Sequence, residues 1–439
     1  MKKLILVNLP KHDSIAPPAA LGALAAATVR AGWEYDVYDF SLICREHLSN
    51  DDHAELTDWL MLVQETLSPS TQNNVLELWD RFLPEGDIYG ISLFSYWSIR
   101  IALLLHDHRP MNRFYGGSGC SSKIPGTNTS FHDFVDNDVC IGNGEQWIYE
   151  YLSGMKYTET HLVPNYSKFD LSEYTDKLYI TGSYGCVRRC TFCDIQNMWP
   201  QFAWKQPTDI VHEIKTLHQI HSIRKFDFTD SLINGSVSLF GEFNKLLAQE
   251  NLDIKYYGQF ICRPRSQMPE EHYKLMREAG CTQLTVGIES FSVDVRNHMK
   301  KKFSNDDIDY HLEMSAKYGI QNVLLMLTGY PTETMDDHDE NIKALYKYQK
   351  YARFGVIELV RWGTTMHLIE DTPITNDYYT DQLGLHRNTS YDWISDANPT
   401  LTLEERIRRR VELHSISSQL NYCQPRVREE LQSLLKLVS

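Results

Sequence analysis

The sequence predicts an α/β protein in which a doubly wound parallel sheet is followed by a partial (β/α)6 barrel and a small helical C-terminal extension. Three observations lead there. A chain of 439 residues exceeds what one hydrophobic core usually supports. Short apolar runs alternate with helical stretches through the first third, the pattern of βα units that build a parallel sheet. A second alternating series then repeats strand and helix until the rhythm stops after Pro373.

In the first region, residues 1–156, strands are expected at Leu4–Leu9, Tyr35–Phe40, Ile88–Phe94, Arg113–Gly116 and Val139–Gly142. Pro17 and Pro18 precede the helix Ala19–Ala31 and Gly32 follows it, as start and stop signals should. Arg45–Phe82, rich in Leu, Trp and Glu, reads as one or two additional helices. Gly116-Gly117-Ser118-Gly119 and Gly142-Asn143-Gly144-Glu145 follow strands, at the carboxyl edge where open α/β sheets bind ligands. Glycine there either lets backbone approach a cofactor or makes a tight turn. These units describe a sheet of flavodoxin or Rossmann type.

A polar connector, residues 157–177, leads into a TIM-type barrel, residues 178–375. Its strands are expected at Leu178–Gly182, Lys225–Phe228, Lys255–Gln259, Gln283–Gly287, Asn322–Leu327 and Phe354–Val360. Helices at Thr208–His221, Ser236–Glu250, Glu270–Ala279, Asn305–Tyr318 and Met335–Tyr351 fill the gaps. The extension, residues 376–439, contains Leu403–Leu437, a helical stretch with charged faces.

Lys and Arg total 43 against 58 Asp and Glu, a formal net charge of −15. A field of that sign repels phosphate backbones and argues against a nucleic-acid partner. The basic runs Met299-Lys300-Lys301-Lys302 and Arg406 with Arg408–Arg410 read as solvated helix ends or faces. The apolar run after Lys3 breaks at Asn8, too soon for a signal peptide, and no apolar stretch approaches the ~20 residues of a membrane span. A soluble, cytoplasmic protein with no membrane partner is expected. Nine cysteines, an odd count in a long chain, predict reduced thiols. Cys44, Cys120, Cys140, Cys262, Cys281 and Cys423 are scattered and read as core packing.

Cys186, Cys190 and Cys193 are different. They lie within Gly182-Ser183-Tyr184-Gly185-Cys186-Val187-Arg188-Arg189-Cys190-Thr191-Phe192-Cys193, directly after the first expected barrel strand. Structural zinc takes four closed ligands, and no Cys or His at short spacing completes such a set. Three thiolates on a [4Fe–4S] cluster instead leave one iron open to chelate a substrate or cofactor. The carboxyl ends of barrel strands are where this architecture places its chemistry. Arg188 and Arg189 stand beside the triplet, where they can damp the charge of three thiolates.

The spacing Cys-x3-Cys-x2-Cys, with the aromatic Phe192 before the last cysteine, resembles the radical S-adenosylmethionine (SAM) superfamily. The resemblance implies that Cys186, Cys190 and Cys193 hold the cluster and that its open iron binds the amino and carboxylate groups of SAM. One electron then splits SAM into methionine and a 5′-deoxyadenosyl radical. An electron donor such as flavodoxin or ferredoxin and a small-molecule or natural-product substrate are implied with it. Phe228-Thr229-Asp230-Ser231 stands where relatives carry an acidic segment, which implicates Asp230 in contacting the methionine amino group, although the commoner Gly-Gly-Glu is absent. Gly287-Ile288-Glu289-Ser290 is similar to a motif after the fourth strand and implicates Gly287, Glu289 and Ser290 in holding the ribose or carboxylate region. Leu327-Thr328-Gly329-Tyr330-Pro331-Thr332-Glu333-Thr334 is similar to a segment that closes near the adenine, which brings in Gly329.

The front region resembles the subgroup with a cobalamin-binding domain, through Asn8–Pro10, Pro17-Pro18-Ala19-Ala20-Leu21-Gly22, Gly116-Gly117 and Asp138–Glu145. Cobalamin is thereby implied as a candidate cofactor, with Gly116, Gly117, Gly142 and Gly144 at its edge, in a methyltransferase acting on an unactivated carbon or phosphorus. His12-Asp13 departs from the Asp-x-His-x-x-Gly that supplies a lower ligand, and Asn143 replaces a Glu of the usual Gly-Glu-Gly-Glu. Two alternatives stay open: a radical oxidase, cyclase or rearrangement enzyme whose front domain binds no cobalamin, and a non-catalytic iron–sulfur electron carrier or sensor. Tyr378, Tyr379, Tyr391 and Trp393 read as core packing or as the lining of a substrate mouth.

Overall fold

Leu4, Ile5, Leu6 and Val7 form an unbroken apolar run because the first strand is covered on both faces. Ile5 and Val7 enter one hydrophobic cluster while Leu4 and Leu6 enter another, as the two-residue period of a strand demands. The computed structural model describes residues 2–10, 16–95, 97–136, 138–159 and 161–422. His12, Asp13 and Cys423 lie outside the described residues, as does the last part of the expected Leu403–Leu437 helix. Two compact units emerge, Met1–Tyr179 with Thr216–Ile223, and Ile180–Lys215 with Arg224–Ser439.

The first unit runs β1 (Lys3–Asn8), α1 (Ala19–Arg30), β2 (Glu34–Asp39), α2 (Phe40–His47), α3 (Asn50–Leu60), α4 (Pro69–Phe82), β3 (Ile88–Ser92), α5 (Trp97–His108), β4 (Arg113–Gly116), α6 (Phe131–Phe134), β5 (Asp138–Cys140) and α7 (Gly144–Ser153). Its five strands are parallel in the order β2-β1-β3-β4-β5, the flavodoxin-like winding, whose switch point lies between β1 and β3. The inserted segment holds three helices, because Asp39 accepts a hydrogen bond from the Leu42 N–H and starts α2 at the very end of β2. Phe40 is therefore helical, and with Cys44, Leu56, Leu60, Val75 and Trp79 it thickens one face of the sheet.

The chain continues through β6 (Lys177–Ile180), β7 (Ser183–Tyr184), α8 (Ile195–Met198), β8 (Ala203–Trp204), α9 (Pro207–His221), β9 (Lys225–Phe228), α10 (Val237–Gln249), β10 (Lys255–Phe260), α11 (Glu270–Glu278), β11 (Cys281–Glu289), α12 (Val293–His298), α13 (Asn305–Tyr318), β12 (Gln321–Thr328), α14 (Met335–Arg353) and β13 (Ile357–Thr365). Six of these strands lie in chain order, β13-β12-β11-β10-β9-β6, and the sheet stays open because β6 and β13 are its two edges. It is a partial barrel. The last strand starts later than expected: α14 continues to Arg353, Gly355 at φ +71° turns the chain, and exposed Phe354 belongs to that turn.

Beyond the barrel come α15 (Asp377–Leu383), an antiparallel pair β14 (Leu385–Arg387) and β15 (Trp393–Ser395), and α16 (Leu403–Gln419). The extension is thus helical with a small hairpin inserted, whose three-residue strands are too short to show an alternating pattern. Trp393 is core, whereas Tyr378 and Tyr391 are exposed. The second basic run is not a solvated face: Arg406 and Arg409 are buried, Arg406 lies 3.8 Å over the Trp393 ring, and Arg409 pairs with Glu333 at 3.1 Å. Cys44, Cys120, Cys140, Cys262 and Cys281 are all buried, as core packing requires.

On α13, buried His311 lies between the Tyr273 hydroxyl at 3.0 Å and Asn322 Oδ1 at 2.8 Å, stacked against Phe260. Burial depresses its pKa to about 4. An unfolded histidine takes up a proton below ~6.5, so stability is full above that value and is lost as pH falls toward about 4. His311→Gln should remove roughly 2 kcal/mol from the stability difference between pH 7 and pH 5. Urea midpoints of the two proteins at both pH values provide the check; equal pH dependence refutes the assignment.

Candidate active site

The cysteine triplet sits in the loop of a short hairpin. Strands β7 and β8 pair antiparallel, Ser183 with Trp204 and Tyr184 with Ala203, and the segment between them leaves and returns at the carboxyl end of β6. Gly185, at φ +73°, opens the loop where a Cβ would stand 2.7 Å from the Gln201 carbonyl, so only glycine lets the two arms approach. Cys190 is buried and Cys186 and Cys193 are partly so. The three thiols lie within electrostatic reach of one another, and burial raises the proton affinity of Cys190 and pushes Cys193 up to about 11.

Thr191 fixes the loop from three directions. Its N–H donates to the Met299 carbonyl at 3.2 Å, its carbonyl accepts from the Ile374 N–H at 2.8 Å, and its hydroxyl meets that of Tyr330 at 2.7 Å. The neighbouring Phe192 packs against a cluster containing Met299, Tyr330, Leu368 and Trp393. The extension beyond the barrel therefore braces the cysteine loop.

At the end of β9, Asp230 is buried and directed back toward the loop rather than outward. Its Oδ2 accepts from the Gly182 N–H at 2.8 Å, and its Oδ1 accepts from the Ser183 hydroxyl. Burial pushes its pKa up to about 6 against those hydrogen bonds. Asp230 thus fixes the strand from which the cysteine loop departs.

At the end of β11, the register slips between Gly287 and Glu289, and Glu289 adopts a left-handed φ of +66°, rare for a residue with a side chain. Its carboxylate meets Lys301 Nζ at 3.0 Å, and a Cβ on Gly287 would stand 2.9 Å from Glu289 Oε1 and 3.1 Å from Lys301 Nζ. Gly287 is the floor under this ion pair. Ser290 is turned inward, its hydroxyl 3.3 Å from Asn341 Oδ1 and its carbonyl accepting from Arg296 at 2.7 Å. At the end of β12, Gly329 at φ +79° donates its N–H to Glu333 at 3.0 Å, and a Cβ there would strike the Arg406 stem at 2.5 Å.

Lys301 was hidden in a run that reads as solvated. Positive φ values at Lys300 and Lys302 turn the chain so that Lys301 alone points inward, 5.8 Å over the Phe192 ring. Burial opposes its charge, but Glu289 and then Cys190 outweigh that cost and raise its pKa above the usual value. Arg263, after β10, is a further buried cation, held by the carbonyls of Asn234 at 2.9 Å and Gly235 at 3.0 Å. No spacing rule singles out either residue. Among the described residues no three His, Cys, Asp or Glu side chains form a group suited to one metal ion. A cluster takes each thiolate on its own iron and does not need them to share one.

In the first unit, Gly117, at φ +105°, lies under the Leu93 carbonyl, which a Cβ would approach to 2.4 Å, so loop packing accounts for this glycine. Gly116 ends β4 and accepts the Leu93 N–H at 2.8 Å. Gly142 at φ +106° faces open space, and Gly144 opens α7 behind Asn143, which caps the helix by accepting from the Gln146 N–H. Phe94 and Ile141 are exposed at this carboxyl edge.

Residues 180–345 match the family model described as the Radical SAM superfamily. The chain carries a radical SAM domain. That domain belongs to a superfamily of enzymes whose shared cofactors are a [4Fe–4S] cluster and SAM, and it takes in the cysteine loop, Asp230, Glu289, Lys301 and Gly329. An uncharacterized methyltransferase of Pyrococcus horikoshii is 23% identical over 201 residues, 44% of this chain and 43% of that protein. A tRNA-2-methylthio-N(6)-dimethylallyladenosine synthase of Clostridium novyi is 24% identical over 208 residues, 44% of this chain and 45% of its own. The chain spans less than half the length of these curated relatives. Two solved structures share the fold across nearly the whole chain. The radical SAM methyltransferase TsrM of Kitasatospora setae, seen with tryptophan and a SAM analogue, superposes with a TM-score of 0.65 at 16% identity, covering 89% of this chain and 79% of TsrM. The cobalamin-dependent radical enzyme OxsB, seen with aqua-cobalamin and SAM, gives 0.67 at 14% identity over 100% of this chain and 71% of its own. Among the described residues no helix is long and apolar enough to cross a membrane.

Lys301→Met should destabilise the protein by about 3–5 kcal/mol, because it strands the largely buried Glu289 carboxylate, while Lys301→Arg should cost much less. Chemical denaturation of the three proteins tests this; a loss under about 1 kcal/mol for the Met variant would mean that the pair is solvated.

Proposed function

We propose that the protein is a cobalamin-dependent radical SAM methyltransferase of a small molecule, with its [4Fe–4S] cluster on Cys186, Cys190 and Cys193. The observation that carries this reading is the three-thiol loop at the carboxyl end of β6 inside the radical SAM domain. The residues fit the group: the thiols share one braced loop, Cys190 is shut away from water, and Lys301 supplies a cation facing Cys190 and Cys193. When bound, the cluster supplies the electron that splits SAM and cobalamin supplies the methyl group. Phe192 and the cluster of side chains behind it exclude water from the loop. Glu289, held by Lys301, presents a fixed carboxylate for the ribose or methionine end of SAM, and Gly329 keeps the β12 loop close enough for the adenine. Asp230 positions the loop from behind.

Support for cobalamin comes from the flavodoxin-like winding of the first unit, from the apolar Phe94 and Ile141 at its carboxyl edge beside Gly116 and Gly142, and from the folds shared with TsrM and OxsB. The net charge of −15 favours a small molecule over RNA.

Anaerobic reconstitution followed by dithionite and SAM should release 5′-deoxyadenosine. Cys190→Ala should lose both the cluster absorbance and this product, whereas Cys281→Ala should keep the cluster. An intact cluster that yields no 5′-deoxyadenosine sinks the radical reading. Protein produced with vitamin B12 should carry a cobalamin spectrum; no binding at micromolar cofactor leaves radical chemistry without methyl transfer.

A further inference from the structure

The barrel sheet turns one face to its helices and the other away from them, and the two faces carry different chemistry. On the helix side Phe228 and Tyr256 meet Phe243 of α10 at ring distances of 5.5 and 5.8 Å, and Phe260 stacks on His311 of α13 at 5.1 Å. Trp362 of β13 donates its indole N–H to Ser417 of α16 at 2.8 Å. The alternate residues of these strands therefore face inward, and their register aligns them in rungs. Gln259 of β10, Thr285 of β11 and Val323 of β12 stand side by side, two residues nearer the carboxyl ends than the pair Tyr257 and Gln283. Gly287, Leu325 and Arg361 form the next rung. A closed barrel fills this space with branched apolar side chains. Here Tyr257, Gln259 and Thr285, on the two central strands, are only partly buried, and their side chains have no hydrogen bond or ion pair with any described residue. Gln283 differs, because Glu358 engages its amide. Arg361 likewise has no partner among the described residues, and it stands beside the half-buried Leu325. A packed face would be aliphatic, and a solvated one charged. Uncharged donors and acceptors next to aliphatic chains, with one cation at the end, are instead the lining of a small-molecule pocket. Its upper rung reaches the candidate active site, since Gly287 lies under the Glu289–Lys301 pair and Lys301 covers the Phe192 ring.

We propose that this inner face seats the molecule to be modified and that it selects a carboxylic acid with a hydrocarbon body and an amide or hydroxyl group. Arg361 takes the carboxylate, Val323 and Leu325 cover the hydrocarbon, and Gln259 and Thr285 bond the polar group. The planar guanidinium matches a carboxylate in geometry as well as charge. In a chain of net charge −15 a lone cation at the end of an otherwise uncharged face also decides which end of an acid enters there. This seat rests on the methyltransferase reading of the cysteine loop and adds a substrate class to it.

The test titrates N-acetyl-L-leucine, which joins a carboxylate, an amide and a branched hydrocarbon chain, and its uncharged counterpart N-acetyl-L-leucinamide. Both go into the full-length protein, cluster-loaded and cluster-free, with binding read by ligand-detected magnetic resonance. Wild type should bind the acid saturably at millimolar concentration and about tenfold more tightly than the amide. Arg361→Gln, at an exposed position, should bring the acid down to the level of the amide. The isosteric Thr285→Val should weaken both by about fivefold. Circular dichroism verifies that the variants are folded. No saturable binding by wild type, or equal binding of acid and amide, overturns the proposal. So does Arg361→Gln without effect, which removes the carboxylate from the substrate class, or Thr285→Val without effect, which places the ligand elsewhere. Failure of the radical reading looks different: the protein then retains no iron or yields no 5′-deoxyadenosine, while the cluster-free sheet still tells acid from amide through Arg361.

Discussion

The anchoring of Thr191 is the constraint on which the rest of the site depends. A loop carrying three cysteines has no hydrophobic face with which to fold itself, and it must be held by backbone bonds to segments distant in sequence. Met299 and Ile374 supply those bonds, and Tyr330 adds a third from the loop after β12. Each anchor is in turn part of one small core with Trp393 and Leu401 from the C-terminal hairpin region. The position of the thiols is thus decided by packing well outside the motif that names them.

Buried charge is the second organising element. Among the buried cations, Lys301, Arg406 and Arg409 each have a definite partner set: a carboxylate, backbone carbonyls with an indole face, and a carboxylate with a helix start. Glycine recurs where these side chains pass. Gly287 lies beneath the Lys301 pair and Gly329 beneath the Arg406 stem, so both glycines of the strand-end motifs are explained by the close approach of cations from the same chain.

The fold was legible in the sequence because its signals are periodic. Buried parallel strands show as apolar runs such as Leu4–Val7, and helix ends show as start and stop signals such as Pro18 and Gly32. The cysteine loop was legible because its spacing is rare. Lys301, Arg406 and Arg409 were not, since a lysine in a basic run looks solvated until a turn with positive φ on either side of it selects the one that points inward. Arg263 escaped for the same reason: its partners are carbonyls, and a carbonyl leaves no trace in the residue alphabet. The hairpin of Leu385 to Ser395 was missed because three residues cannot establish a period.

The bonds from α16 to the loop after β12 alter what the C-terminal part means for dissection of the protein. Arg409 reaches the Glu333 carboxylate and the Glu333 and Thr334 carbonyls, while Arg406 fills the space that Gly329 leaves and ties down the carbonyls of Tyr391, Trp393 and Leu401. A chain cut before Leu403 would keep every residue of the matched domain yet lose the clasp on its loop after β12. For anyone trimming, splitting or fusing this protein, the minimal unit is therefore set by these two arginines and not by the boundary of the matched domain.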